Sequence, residues 1–180
     1  YYLKRTISHN THILPGSAQH KRTILFENNA QSNGWPKGSY KAYIRFFVNS
    51  NVTVDSIAIN GSALAENQIS TTQENGFTVI GVRVDVPIKS QTTLELNYTT
   101  PLADTVDATV NANAQAQSNF SYVFYNRKQS GTDSDSLNVN FSFDPRISPV
   151  LIAPSASISQ NTINKAEKTD ENLVTTIILL

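Results

Sequence analysis

The sequence predicts an all-β fold, an antiparallel β-sandwich of immunoglobulin-like or jelly-roll-like type with about nine or ten strands. Three observations lead there. Apolar residues recur at period two through most of the chain, as half-buried strands require. Asn-Gly, Pro and Gly punctuation falls between those runs. Asparagine (19), serine (19) and threonine (18) supply nearly a third of the 180 residues, and their short side chains compete with helix by hydrogen-bonding nearby backbone.

The elements follow in chain order. Tyr2–Ser8 and Thr23–Asn28 read as strands, with the intervening residues as solvated strand end and turn. Asn33-Gly34, Pro36 and Gly38 break the chain before a long alternating run, in which Tyr40, Ala42, Ile44, Phe46 and Val48 share one face and Lys41, Tyr43, Arg45 and Phe47 the other. Val52–Ile59 is a strand closed by Asn60-Gly61, a pair that tolerates positive φ and reads as a tight turn. Ala63–Gln68 suits one helical turn. Asn75-Gly76 opens the Phe77–Val86 strand and Pro87, which cannot donate to a ladder, ends it. Leu94–Tyr98, Phe120–Tyr125 and Leu137–Phe143 alternate cleanly, a short strand is expected near Val150–Ile152, and Leu173–Leu180 closes the chain as a strand. Asn164–Asn172 is helix-compatible but has no apolar stripe.

The stretch Thr99–Gln117 is rich in Ala, Asn, Thr and Gln and carries little that packs. It is expected to be a long crossover, at about 99–117, within a single domain over 1–180. The alternative is a linker between two small β units at 1–100 and 118–180.

Composition excludes several function classes. With no cysteine there is no disulfide framework, thiolate metal site or Cys nucleophile. Fourteen basic and fourteen acidic residues leave a net charge of zero, and so no general attraction to nucleic acid or anionic lipid. No run of eighteen apolar residues occurs. The lack of methionine leads us to expect a segment of a longer protein.

Candidate chemistry is sparse. His9, His12 and His20 lie close together in sequence, yet positions 9 and 12 fall on opposite faces of a strand and no carboxylate precedes Glu27, so no metal is expected. No Gly-x-Ser-x-Gly elbow and no phosphate-binding glycine loop occurs. Asp133-Ser134-Asp135-Ser136 reads as a polar hairpin tip, lacking the glycine and closing glutamate of a calcium loop. A Lys–Asn isopeptide bond, from Lys4 or Lys41 to Asn138 or Asn140 with Glu95 as the assisting acid, suits a cysteine-free β-domain. Trp35, Tyr40 and Tyr43 gather around one loop and strand start, where they either close the core or form a stacking platform for sugar rings. No catalytic residue, cofactor or metal ligand is expected.

Two stretches carry a resemblance. Lys21–Val48 (KRTILFENNAQSNGWPKGSYKAYIRFFV) and Phe124–Phe141 (FYNRKQSGTDSDSLNVNF) resemble the C-terminal extracellular β-domain of membrane-anchored bacterial surface proteins of unknown function, domain-of-unknown-function family 4012. The matching residues are Lys21, Arg22, Thr23, Trp35, Pro36, Gly38, Tyr40, Tyr43 and Arg45, then Lys128, Gln129, Gly131 and Thr132, with Ser130 where the family usually has proline. The resemblance implies an extracellular or cell-surface location and a membrane-anchored parent, and no activity. A non-enzymatic structural or interaction module is therefore expected, whose partners are other surface proteins or glycans and not nucleic acid. The alternative is a carbohydrate-binding module for cell-wall or exopolysaccharide glycan, stacking on Trp35, Tyr40 and Tyr43.

Overall fold

The computed structural model describes residues 2–35, 37–102, 120–126, 135–147, 149–153, 158–159, 162–168 and 173–179. It opens on a hairpin of two twelve-residue strands, β1 (Leu3–Leu14) and β2 (Ser17–Asn28), paired in register from Leu3↔Asn28 to Leu14↔Ser17. Pro15-Gly16 makes the turn, and Gly16 supplies the positive φ of 76° that a tight reversal needs. There follow β3 (Tyr40–Asn49), β4 (Thr53–Ile59), β5 (Ser62–Ala63), β6 (Ile69–Glu74), β7 (Phe77–Val86) and β8 (Ser90–Pro101). The chain ends with β9 (Phe120–Asn126), β10 (Ser136–Phe143), β11 (Pro149–Ala153), β12 (Ile158–Ser159), β13 (Thr162–Lys168) and β14 (Leu173–Leu179). The helical turn expected at 63–68 is a single 3-10 turn, Glu66–Gln68. Among the described residues no helix is long and apolar enough to cross a membrane.

The chain is all-β. The largest sheet has eight strands in the order β12-β13-β10-β1-β2-β8-β4-β5, and two three-stranded sheets have the orders β11-β14-β9 and β3-β7-β6. The expected purely antiparallel pairing needs correction, since β1 and β10 run parallel, from Thr6↔Ser136 to Ile13↔Phe143. Fourteen strands stand among the described residues instead of nine or ten. Two of the additional ones are only two residues long, and β13 occupies most of the stretch thought helix-compatible. Thr99–Pro101 continue β8, while 103–119 and 127–134 lie outside the described residues. The hairpin expected around 127–134 needs correction, because β9 and β10, which flank it, belong to different sheets. Strands from both sides of 103–119 share the large sheet.

One face of that sheet buries two apolar clusters. Toward one end, Ile13, Ala18, Leu137, Val139, Phe141 and Phe143 pack with Tyr122 and Phe124 of β9. Toward the other, Ile24, Phe26, Ile57, Leu94 and Leu96 pack with Phe46 and Val48 of β3 and Ile80, Val82, Val84 and Val86 of β7. Each small sheet thus covers part of the same face, which lets the strands bury one apolar row each. Between the clusters the inner face turns polar, with His9 of β1, His20 and Arg22 of β2 and Tyr98 of β8.

Two polar devices fix this core near the open end of the β1–β2 hairpin. Arg5 donates Nε to Asp135 Oδ1 (3.0 Å) and Nη2 to Asp135 Oδ2 (2.7 Å), a bidentate, nearly buried pair that ties β1 to the entry of β10. Asp135 is therefore part of the interior and not of an exposed hairpin tip. Asn28 donates Nδ2 to the carbonyls of Gly38 (2.8 Å) and Val86 (3.0 Å) and accepts from Ala30 N–H (3.1 Å), which clamps the 29–39 loop onto the sheet. Asn28→Ala leaves three backbone groups without this partner. It is expected to cost about 2 kcal/mol in urea unfolding and to expose the 29–39 loop to limited proteolysis.

Candidate functional site

The three aromatic residues singled out from the sequence do not form one platform. Tyr40 lies on the inner side of β3, its ring 6.3 Å from that of Phe26, and so belongs to the core. Tyr43, three residues on, faces outward. Trp35 is 98% exposed, at a turn closed by paired backbone hydrogen bonds between Gly34 and Lys37, and does not close the core.

What gathers around Tyr43 instead is the outer face of the β3-β7-β6 sheet. Tyr43 stands opposite Arg83 in the β3–β7 register, and its ring lies across the backbone of Gly81. A Cβ on Gly81 would fall 1.9 Å from the Tyr43 hydroxyl oxygen and 2.4 Å from Cζ, so the ring rests directly on the strand. It nevertheless remains 52% exposed, one side against the strand and the other toward solvent. Four residues along β3, Phe47 is 56% exposed, and Phe77 beyond it is 41% exposed. The Arg45 guanidinium sits 5.0 Å from the Phe47 ring centre and is held by Glu74 of β6, which also accepts from Thr72 Oγ1 at 3.3 Å. That ion pair spans β7, and beneath it Val79 is buried although its position faces outward. Arg83 is exposed and has no ion-pair partner among the described residues.

The outer face of the large sheet is different in kind. It presents amide and hydroxyl groups, with a shallow depression of about 410 Å³ lined by Asn10, His12, Gln19, Lys21, Asn97 and Ser142 among others. His12 Nδ1 meets Ser142 Oγ there at 2.9 Å. The isopeptide arrangement is not assembled. Lys4 is largely exposed and faces Glu27 at 3.7 Å, Lys41 faces Asp85 at 3.8 Å on another sheet, and Glu95 pairs with Lys21 at 2.8 Å.

The histidines also depart from expectation. His9 and His20 are not on a solvated turn but in the interior, 1% and 5% exposed, with ring centres 5.6 Å apart. His20 stacks on Tyr98 at 4.4 Å and its Nδ1 contacts Thr11 Oγ1 at 3.2 Å. His9 packs on Phe124 at 4.7 Å, and both its ring nitrogens lack a hydrogen-bond partner among the described residues, as does His20 Nε2. Burial holds His9 well below the usual imidazole range, with Arg22 and His20 adding charge repulsion, and burial lowers His20 to about 4. Among the described residues no three His, Cys, Asp or Glu side chains converge as a metal site.

Fold and face together define an all-β module with a structured aromatic outer surface. No protein-family model and no curated protein matches the chain. Among solved structures it is similar to native leukotriene A4 hydrolase from Saccharomyces cerevisiae, with a TM-score of 0.53 and 9% identity over 98% of this chain. It is likewise similar to yeast LTA4 hydrolase in complex with bestatin, at a TM-score of 0.51 and 7% identity over 98% of this chain. The chain spans 29% and 28% of those two proteins, under a third of their length. At such identity the likeness establishes a shared fold.

Proposed function

We propose that the chain is a non-enzymatic β-sandwich module of a bacterial cell-surface protein, acting as an interaction domain through the outer face of β3-β7-β6. The two small sheets laid on one face of the large sheet support the reading of a two-layer sandwich. The observation that carries the functional reading is Tyr43, seated on Gly81 yet half open to solvent, in line with exposed Phe47 and with an Arg45 fixed by Glu74. Exposed aromatics that are held in place by their neighbours lose little conformational freedom on binding, which is what an interaction face needs. Low charge, abundant Asn, Ser and Thr, and the resemblance to the membrane-anchored surface proteins support the extracellular setting. That a fold of this kind occupies under a third of the yeast hydrolase supports its use as one module among several.

The test is retention of the fluorescently labelled chain on washed bacterial envelopes. Wild type should be retained, and the double variant Tyr43→Ala/Phe47→Ala should fall at least tenfold with the fold intact by circular dichroism. Equal retention of the two proteins would remove this face from the function.

A further inference from the structure

We infer that the outer face of β3-β7-β6 is a binding site for an acidic polysaccharide, in which Tyr43 stacks on a sugar ring and Arg83 takes the carboxylate of a uronate unit. This rests on the reading of that face as the interaction surface and goes further by naming the chemical class of its occupant.

Three features of the face select that class. First, the Tyr43 ring is laid flat. Gly81 is buried beneath it, and the close approach of Oη, Cζ and Cε1 to the place where a Cβ would stand shows that the absence of a side chain at 81 seats the ring on the backbone. A ring in that attitude offers one whole π-face to solvent, and the polarised C–H groups on one side of a pyranose ring are attracted to the negative face of an aromatic ring. Secondly, charge is placed beside it. Arg83 stands directly across from Tyr43, exposed, whereas its cationic neighbours are engaged, Lys41 by Asp85 and Arg45 by Glu74. An arginine with a free planar fork matches a carboxylate through two parallel N–H bonds. Thirdly, the site repeats along a line. Tyr43 and Phe47 are four residues apart on one face of an extended strand, about 13 Å, with Arg45 between them over the Phe47 ring. A linear polymer stacked on Tyr43 with its acidic group on Arg83 runs on along β3 toward Phe47, whose ring the Glu74-bound Arg45 already meets. A neutral glycan would leave Arg83 unused.

The experiment uses the full chain with polygalacturonate as acidic probe and dextran as neutral probe, read by affinity electrophoresis and calorimetry. Binding to polygalacturonate and not to dextran is expected, weakening as salt rises. Arg83→Gln should weaken binding at least tenfold without altering the urea midpoint, because the side chain is exposed. Gly81→Ala is the more pointed variant. It keeps Tyr43 but forces the ring off the strand, and the clash is with the far end of a movable side chain. Binding should therefore fall at least tenfold while the fold is retained. Val123→Ser, on an exposed position of the other small sheet, should bind as wild type. Equal affinity for dextran, or unchanged affinity in Arg83→Gln and Gly81→Ala, would overturn the assignment. Loss of envelope retention in Tyr43→Ala/Phe47→Ala together with no polygalacturonate binding by wild type would overturn the ligand class and leave the interaction face standing. If neither retention nor polysaccharide binding responds to these substitutions, both readings fall.

Discussion

Phe141→Ala is expected to destabilise the protein by about 3–5 kcal/mol, the range for emptying a large aromatic from a close-packed interior. Phe141 is 1% exposed and sits on β10, the strand that joins the large sheet by parallel pairing with β1. Its ring meets Tyr122 and Phe124 edge-on, each at 5.9 Å, so it is one of the contacts that hold β9 to the large sheet, beside His9 on Phe124. Losing it removes the buried area and two favourable aromatic pairs at once. At about 2–4 °C per kcal/mol for a chain of this size, the melting temperature should fall by about 6–20 °C. Phe26→Ala, in the other apolar cluster, offers the comparison, being fully buried against Tyr40. Because β1 and β2 serve both clusters, both variants should lower the midpoint of a single urea transition with its slope unchanged. A biphasic transition in either variant would mean that the two clusters unfold separately.

The strands most legible in the sequence are those that bury one clean apolar row. For β3, β7 and β10 the alternation at 40–48, 77–86 and 137–143 lies within a residue or so of the observed strands, and Asn60-Gly61 and Asn75-Gly76 adopt the positive φ their composition allows. The β1–β2 hairpin was only half visible. Its inward positions from 9 to 22 include His9, Thr11, His20 and Arg22, so the apolar period fails although the strands continue. Burial there is of polar rings packed on one another, which periodicity of apolar residues does not register. The helix-like composition of 164–168 is overridden by pairing with β10, a tertiary effect that no local propensity contains. In the candidate site Tyr43 was visible as an aromatic at a strand start, but its setting was not. Gly81 is distant in sequence, and only the β3–β7 register shows that an omitted Cβ makes room for the ring.

The same polar seam makes stability depend on pH, with a sign fixed by the buried imidazoles. Burial lowers His20 from 6.5 to about 4, and His9 moves in the same direction through burial, Arg22 and His20. The groups facing this pair are Thr11, Arg22, Tyr98, Tyr122 and Phe124, and none of them is a carboxylate that would favour imidazolium. Folded chains therefore refuse protons that unfolded chains accept. Stability is present above pH 6.5 and is lost as pH falls toward 4, by about 3 kcal/mol through His20 alone, with His9 adding to the slope. Urea midpoints measured from pH 7.5 to 4.5 should fall steadily in wild type. His9→Leu should be as stable as wild type at pH 7.5, or slightly more so, because the substitution removes two buried nitrogens that have no hydrogen-bond partner among the described residues and keeps a similar volume. Its midpoint should fall less steeply below pH 6.5, by close to one proton per molecule. A His9→Leu protein with the wild-type slope would show that His9 finds a proton-stabilising partner in the folded state.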